Sequence, residues 1–141
     1  MTRDEVVAEA RKWDRVPWRH QGRSETGVDC VGLGVVVAQA FGVNLQDRTD
    51  YPREPSDLSM LAHIRQFTVR VPFGGNLVGT IGLFRGSIFP CHIGIFSERM
   101  GVTHVIHSRA DMRRVIEEPF IDGERDLKLV EIRAFPELEL V

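Results

Sequence analysis

The sequence predicts an α+β fold, with helices first and a mostly antiparallel sheet second. Three observations carry that prediction. Helical spacing of apolar residues is confined to the first half of the chain, before "VPFGGN". After it come short β-like runs separated by Gly, Pro and charged turns. Within the first half, "VGLGVVVAQAF" is apolar nearly all round, which predicts a helix buried in the middle of the molecule. At 141 residues the chain suits one core, so residues 1–141 are expected to form a single domain.

The first helix is expected from about Thr2 to Trp13. Thr2 can cap it, Asp4 and Glu5 suit its first turn, and Val6, Val7, Ala10 and Trp13 recur on one side. Pro17, Gly22 and Gly27 then make "VPWRHQGRSETG" a loop. Asp29 is the expected N-cap of the central helix, from about Cys30 to Phe41, and Gly42 ends it. The polar connection "DRTDYPREPS" follows. Ser56 is then expected to cap a short helix from about Asp57 to Phe67, with Leu58, Leu61, Ala62 and Arg65 on one face. The expected strands are "TIGLF", "HIGIF", "THVIHS", "RVIEEPF" and "LKLVEIRAF".

A formal net charge of −2 supplies no global attraction to nucleic acid or anionic membrane. No apolar run approaches the roughly 20 residues needed to span a bilayer. The charged N-terminus "MTRDEVVAEARKW" lacks the apolar region of a secretory signal, so synthesis in the cytoplasm is expected. The two cysteines, Cys30 and Cys91, are expected to be reduced. Adjacent Cys91 and His92 point apart on a strand and make a poor metal pair, so no metal or other cofactor is expected.

Cys30 stands where a loop becomes a buried helix. Packing alone explains many such cysteines. The unsatisfied N–H groups and positive dipole of a helix start also favour a thiolate, and they place backbone donors where an acyl oxyanion forms. A nucleophile there needs an imidazole. His63 reads as a surface residue of the short helix, and His20 as a loop residue near the cysteine. If "HIGIF" and "THVIHS" form a hairpin around "SERMG", His92 and His107 can share one face. His104 has the opposite parity to His107, and the register between the strands stays open. Cys91, of opposite parity to His92, reads as core.

"PWRHQGRSETGVDCVGLG", "HIGIF" and "VIHS" resemble, in order and spacing, the three motifs of the NlpC/P60 cysteine peptidases. The form "PWRHQGR…GVDCVGL" looks especially like the branch found in phage tail tips and gene transfer agents. This resemblance implies a papain-like core, with the central helix carrying the nucleophile against a sheet carrying the histidines. It implies hydrolysis of peptidoglycan stem peptides at the bond between D-γ-glutamate and a diamino acid. Cys30 would be the nucleophile, His92 the general base and acid, and His107 the polar partner orienting His92. Trp18 stands where many members have a tyrosine lining the site, and Asp29 where the family receives a substrate amine. Implied partners are a peptidoglycan peptide and phage tail hub or tip proteins, with action in the periplasm or cell wall.

Two departures bear on substrate recognition. Trp18 keeps an aromatic wall but lacks a hydroxyl, and Val31 replaces the serine of the common D-C-S-G form. Besides the peptidase reading, the residues leave open an inactive structural relative in a phage tail and a thiol acyltransferase. The basic cluster Arg11, Lys12, Arg15, Arg19 and Arg23 reads as a solvated face.

Overall fold

The computed structural model describes residues 1–53, 57–86, 88–124 and 127–140. Thr2 caps α1 (Arg3–Arg11) through a capping box, its hydroxyl accepting from the Glu5 N–H while the Glu5 carboxylate accepts from the Thr2 N–H. The helix stops two residues before Trp13, which packs partly buried against the core. A two-stranded ribbon, β1 (Arg23–Ser24) and β2 (Gly27–Val28), occupies the loop read from "VPWRHQGRSETG". Next is α2 (Cys30–Ala40), capped by Asp29 as its sequence predicts; Gly42 adopts φ +69° just beyond its end.

The third helix, α3 (Ser59–Gln66), starts later than expected and has no side-chain cap at Leu58; the anticipated cap Ser56 lies outside the described residues. A strand not expected from the sequence, β3 (Val69–Val71), follows it. Then come β4 (Ile81–Arg85), β5 (Pro90–Arg99), β6 (Val102–Arg109), β7 (Arg114–Pro119) and β8 (Lys128–Ala134). These strands form one sheet in the order β3-β8-β4-β5-β6-β7, with every neighbouring pair antiparallel.

Helix α2 is the apolar centre of this arrangement. Val31 to Ala38 are all buried against Ile81, Leu83, Ile93, Ile95 and Ile106 on one face of the sheet, with α1 and α3 completing the layer. A smaller cluster built on Phe84, Phe96, Val105 and Leu127 covers the opposite face. Two layers on one sheet let an α+β chain bury apolar side chains on both faces.

An acidic anchor joins α1 to the sheet. Glu117 of β7 accepts from Arg11 at 2.9 Å, Ser97 at 2.6 Å and Arg99 at 2.9 Å. Burial works to raise its carboxyl, but the donors of Arg11, Ser97 and Arg99 outweigh it and hold the group at about 2, against an ordinary 4.5. A carboxylate depressed in this way stabilises the fold above pH 4.5, and that contribution is lost as pH falls from there towards 2. Screening at the part-exposed arginines leaves roughly 1–3 kcal/mol at neutral pH. Glu117→Gln should therefore lower the urea midpoint at pH 7 and show a smaller further loss between pH 4.5 and 2 than the wild type. Parallel acid titrations of the two proteins would contradict this assignment.

Candidate active site

The N-terminus of α2 is held by contacts to the Asp29 carboxylate. Asp29 is 4% exposed and both its oxygens are engaged. Oδ1 accepts from the Gly32 N–H at 2.7 Å and from Arg23 at 3.2 Å. Oδ2 accepts from the Gln21 N–H at 2.7 Å and the Tyr51 hydroxyl at 2.7 Å. Arg23 also grips Asp47, at 2.7 Å, and the Arg48 carbonyl. Through these contacts the 43–53 connection is strapped onto the loop that precedes Cys30. On the other side, the Ser108 hydroxyl donates to the Val28 carbonyl at 2.7 Å, joining the helix start to the strand that carries His107.

His92 and His107 lie on one face of neighbouring strands, with His92 Nε2 and His107 Nδ1 2.8 Å apart. The hairpin between them turns at Met100 and Gly101, both with positive φ. Gly94 makes room for the pair: a Cβ there would press on Val105 and approach the His107 Cβ to 3.2 Å. His107 is fully buried, and its Nε2 lies 3.1 Å from the Glu118 carboxylate on β7. His104 instead points its Nδ1 at the Val102 carbonyl.

The surroundings of the Cys30 thiol and of the His92 imidazole both disfavour charge. Burial, with the Asp29 carboxylate adding, pushes the Cys30 thiol up to about 12, against the Ile93 and Val31 N–H groups that lower it. The helix start alone argues for a thiolate; the apolar surroundings and the neighbouring anion reverse that balance. Burial, followed by His107 and Arg109, holds His92 well below its ordinary 6.5. Both shifts favour the uncharged forms, a thiol at Cys30 and a neutral imidazole at His92.

Trp18 is anchored by its backbone N–H to the Arg113 carbonyl and is half-buried. Its ring stacks on His20 and carries the Arg53 guanidinium 4.8 Å above it. His20 in turn meets the edge of Tyr51. These rings and cations line one side of the Asp29 network.

Several expectations are corrected here. His63 is buried, not on the surface, and sits 3.4 Å from Asp47. It lines a cavity of about 230 Å³ with Val31, Tyr51 and Met60. Cys91 is part-exposed rather than core, and both cysteines are free. Arg23 belongs to the Asp29 network, not to a free basic face. Sequence reasoning missed Glu118, Tyr51 and Asp47, since none carries a motif. Only the strand register, which brings β7 beside β6, could have singled out Glu118. Among the described residues, no group of three or more His, Cys, Asp or Glu side chains is placed to hold a metal ion. No described helix is long and apolar enough to cross a membrane.

No family model matches the sequence. No curated protein matches it either. Solved structures do. The chain is similar to an NlpC/P60 family protein from Bacillus cereus, with a TM-score of 0.70 and 18% identity over 94% of this chain and 40% of that one. It is also similar to the NlpC/p60 domain of the peptidoglycan hydrolase SagA, with a TM-score of 0.60 and 21% identity over 96% of this chain and all of that domain. An N-acetylmuramoyl-L-alanine amidase from Bacteroides uniformis superposes with a TM-score of 0.61 at 10% identity, covering 94% and 98% of the two chains. The chain spans about two fifths of the Bacillus cereus protein. These likenesses establish the fold: an α+β, papain-like core of the NlpC/P60 type.

Proposed function

We propose that the chain is a cysteine peptidase of the cell wall, in which residues 1–141 act as one catalytic domain on peptidoglycan stem peptides. The observation that carries this reading is the His92–His107 hydrogen bond, set on the sheet that packs against the helix begun by Cys30. The fold shared with a peptidoglycan hydrolase domain supports the substrate class. The bond proposed is the one between D-γ-glutamate and a diamino acid.

In this mechanism His92 Nδ1, the nitrogen not facing His107, takes the Cys30 proton as the sulfur attacks the scissile carbonyl carbon. An S–C bond forms and the carbonyl becomes an oxyanion, met by backbone N–H groups at the helix start. Collapse breaks the C–N bond while the imidazolium gives its proton to the departing amine. Water then attacks the thioester with His92 as base, the C–S bond breaks, and the carboxylic acid leaves with the thiol restored. A thiol raised to about 12 is consistent with His92 acting as a true general base rather than as half of a preformed ion pair. In this reading Trp18 and Asp29 contact the substrate. A substrate amine reaches Asp29 by displacing the Tyr51 hydroxyl, and Val31 offers it no polar contact.

Delivery by a phage tail tip or gene transfer agent is the setting proposed, on the likeness of "PWRHQGR…GVDCVGL" to that branch. A second reading, an idle papain-like structural part, draws on the unactivated thiol. Digestion of defined muropeptides, with products weighed by mass spectrometry, separates the two. The wild type should release free peptides and Cys30→Ala should release none. Equal cleavage by both proteins would sink the mechanism, inert wild type would favour the structural part, and amine or lipid adducts would favour acyl transfer.

A further inference from the structure

His92, His107 and Glu118 stand on three consecutive strands, β5, β6 and β7, and their side chains meet in one line across the sheet. The two links measure 2.8 Å and 3.1 Å. We propose that Glu118 is a positioning residue that acts through His107 to fix the tautomer of His92 and to favour its protonated form during reaction. The inference rests on the catalytic reading of Cys30 and His92 given above.

The argument follows the protons. An ionised carboxylate can only accept, so Glu118 requires the hydrogen of His107 to sit on Nε2. A neutral His107 then presents a lone pair at Nδ1, which accepts from His92 Nε2–H. His92 is left with its lone pair on Nδ1, the form a base needs. His107 is fully buried and Glu118 is 13% exposed, so water competes poorly for either link. Without an acceptor at position 118, a buried His107 gains by moving its hydrogen to Nδ1 and donating to His92 Nε2. His92 then carries its hydrogen on Nδ1 and cannot take a proton there.

Other charged groups also lie near the pair. Arg109 and Asp111, at the end of β6 and just beyond it, hold each other at 2.9 Å and act on His92 with opposite signs. Helix α2 brings Cys30 and its neighbour Asp29, whose oxygens are taken up by Arg23, Gln21, Gly32 and Tyr51. Arg85 of β4 pairs in register with Pro90 of β5, where Cys91 follows. The Phe84 ring lies beside His92, and Phe120 packs on Phe84.

The test uses imidazole 15N shifts of the whole protein together with pH profiles of hydrolysis, for the wild type, Glu118→Gln and Glu118→Leu. In the wild type, both His92 and His107 should carry their hydrogen on Nε2. Glu118→Leu should move the His92 hydrogen to Nδ1 and lower kcat about 10- to 100-fold, with KM changed less than about twofold. Glu118→Gln keeps the shape without the charge, so its acid limb of kcat/KM should fall by about one pH unit. A wild-type His107 protonated on Nδ1 overturns the proposal. So do variants whose His92 shifts and acid limb match the wild type. If no form hydrolyses any muropeptide, the peptidase reading fails, while the 15N shifts still decide whether Glu118 sets the tautomer.

Discussion

His92→Ala is expected to reduce muropeptide hydrolysis by at least about a thousandfold while leaving the fold intact, because it removes both the base and the acid of a single mechanism. Cys30 cannot compensate: burial and Asp29 raise its thiol to about 12, which leaves little thiolate at neutral pH without the imidazole. The side chain is only half-buried, so trimming it leaves a modest gap beside Phe84 and His107 rather than a core cavity. His104→Ala is the matched control, since that ring caps the Val102 carbonyl at the strand start. Its activity should stay within about twofold of the wild type. The wild-type pH profile sharpens the same prediction. A base held well below 6.5 stays uncharged into mildly acidic solution, so activity should persist at pH 6 and fade only as pH drops through the lowered value. Equal losses in His92→Ala and His104→Ala would show that the first variant acts through the fold.

The parts of this site that repeat locally were readable in the sequence. Asp29 before an apolar run is a cap, and a cap places Cys30 at a helix start. Alternation within "HIGIF" and "THVIHS" allows His92 and His107 to share one face, and the turn at Met100 and Gly101 in the fold supplies the register that joins them. What stayed hidden depends on contacts between distant segments. Tyr51 meets Asp29 across 22 positions, and nothing near Tyr51 marks it as a partner. His63 looked like a surface residue because its helix is polar, yet the Asp47 strap covers it. Of the two adjacent acids on β7, Glu117 serves α1 and Glu118 serves His107, since neighbours on a strand face opposite ways. Parity separates their roles only once the register is known. The thiol's resting state was misjudged for the same reason. A helix end is a local feature, whereas the burial and the Asp29 charge that outweigh it belong to the folded site.

Gly32→Ala should be strongly destabilising, although alanine is the better helix former by about 1 kcal/mol. A Cβ at position 32 would overlap the Gly22 carbonyl oxygen and crowd Arg23 at 2.9 Å and Asp29 at 3.1 Å. The first obstacle is backbone, which cannot swing aside as a side-chain tip can. Relief requires the 19–23 loop to lift from α2, and that motion strains the Gln21 and Arg23 contacts to Asp29 together with the cap itself. Overpacking of this kind costs about 1–3 kcal/mol, and weakening the cap adds about 1 more. The sum outweighs the gain in propensity. Gly34 provides the comparison within the same helix. There an added Cβ meets only the Ile93 Cδ1 at 2.9 Å, the far end of a flexible side chain. Gly34→Ala should therefore lie within about 1 kcal/mol of the wild type, its packing cost offset by helix propensity. Urea denaturation of both variants decides the matter: equal midpoints would mean that the loop yields freely and does not hold the helix start. A large loss confined to Gly32→Ala, with hydrolysis falling further than stability, would mean that the close approach at Gly22 holds Cys30 in register with the histidines.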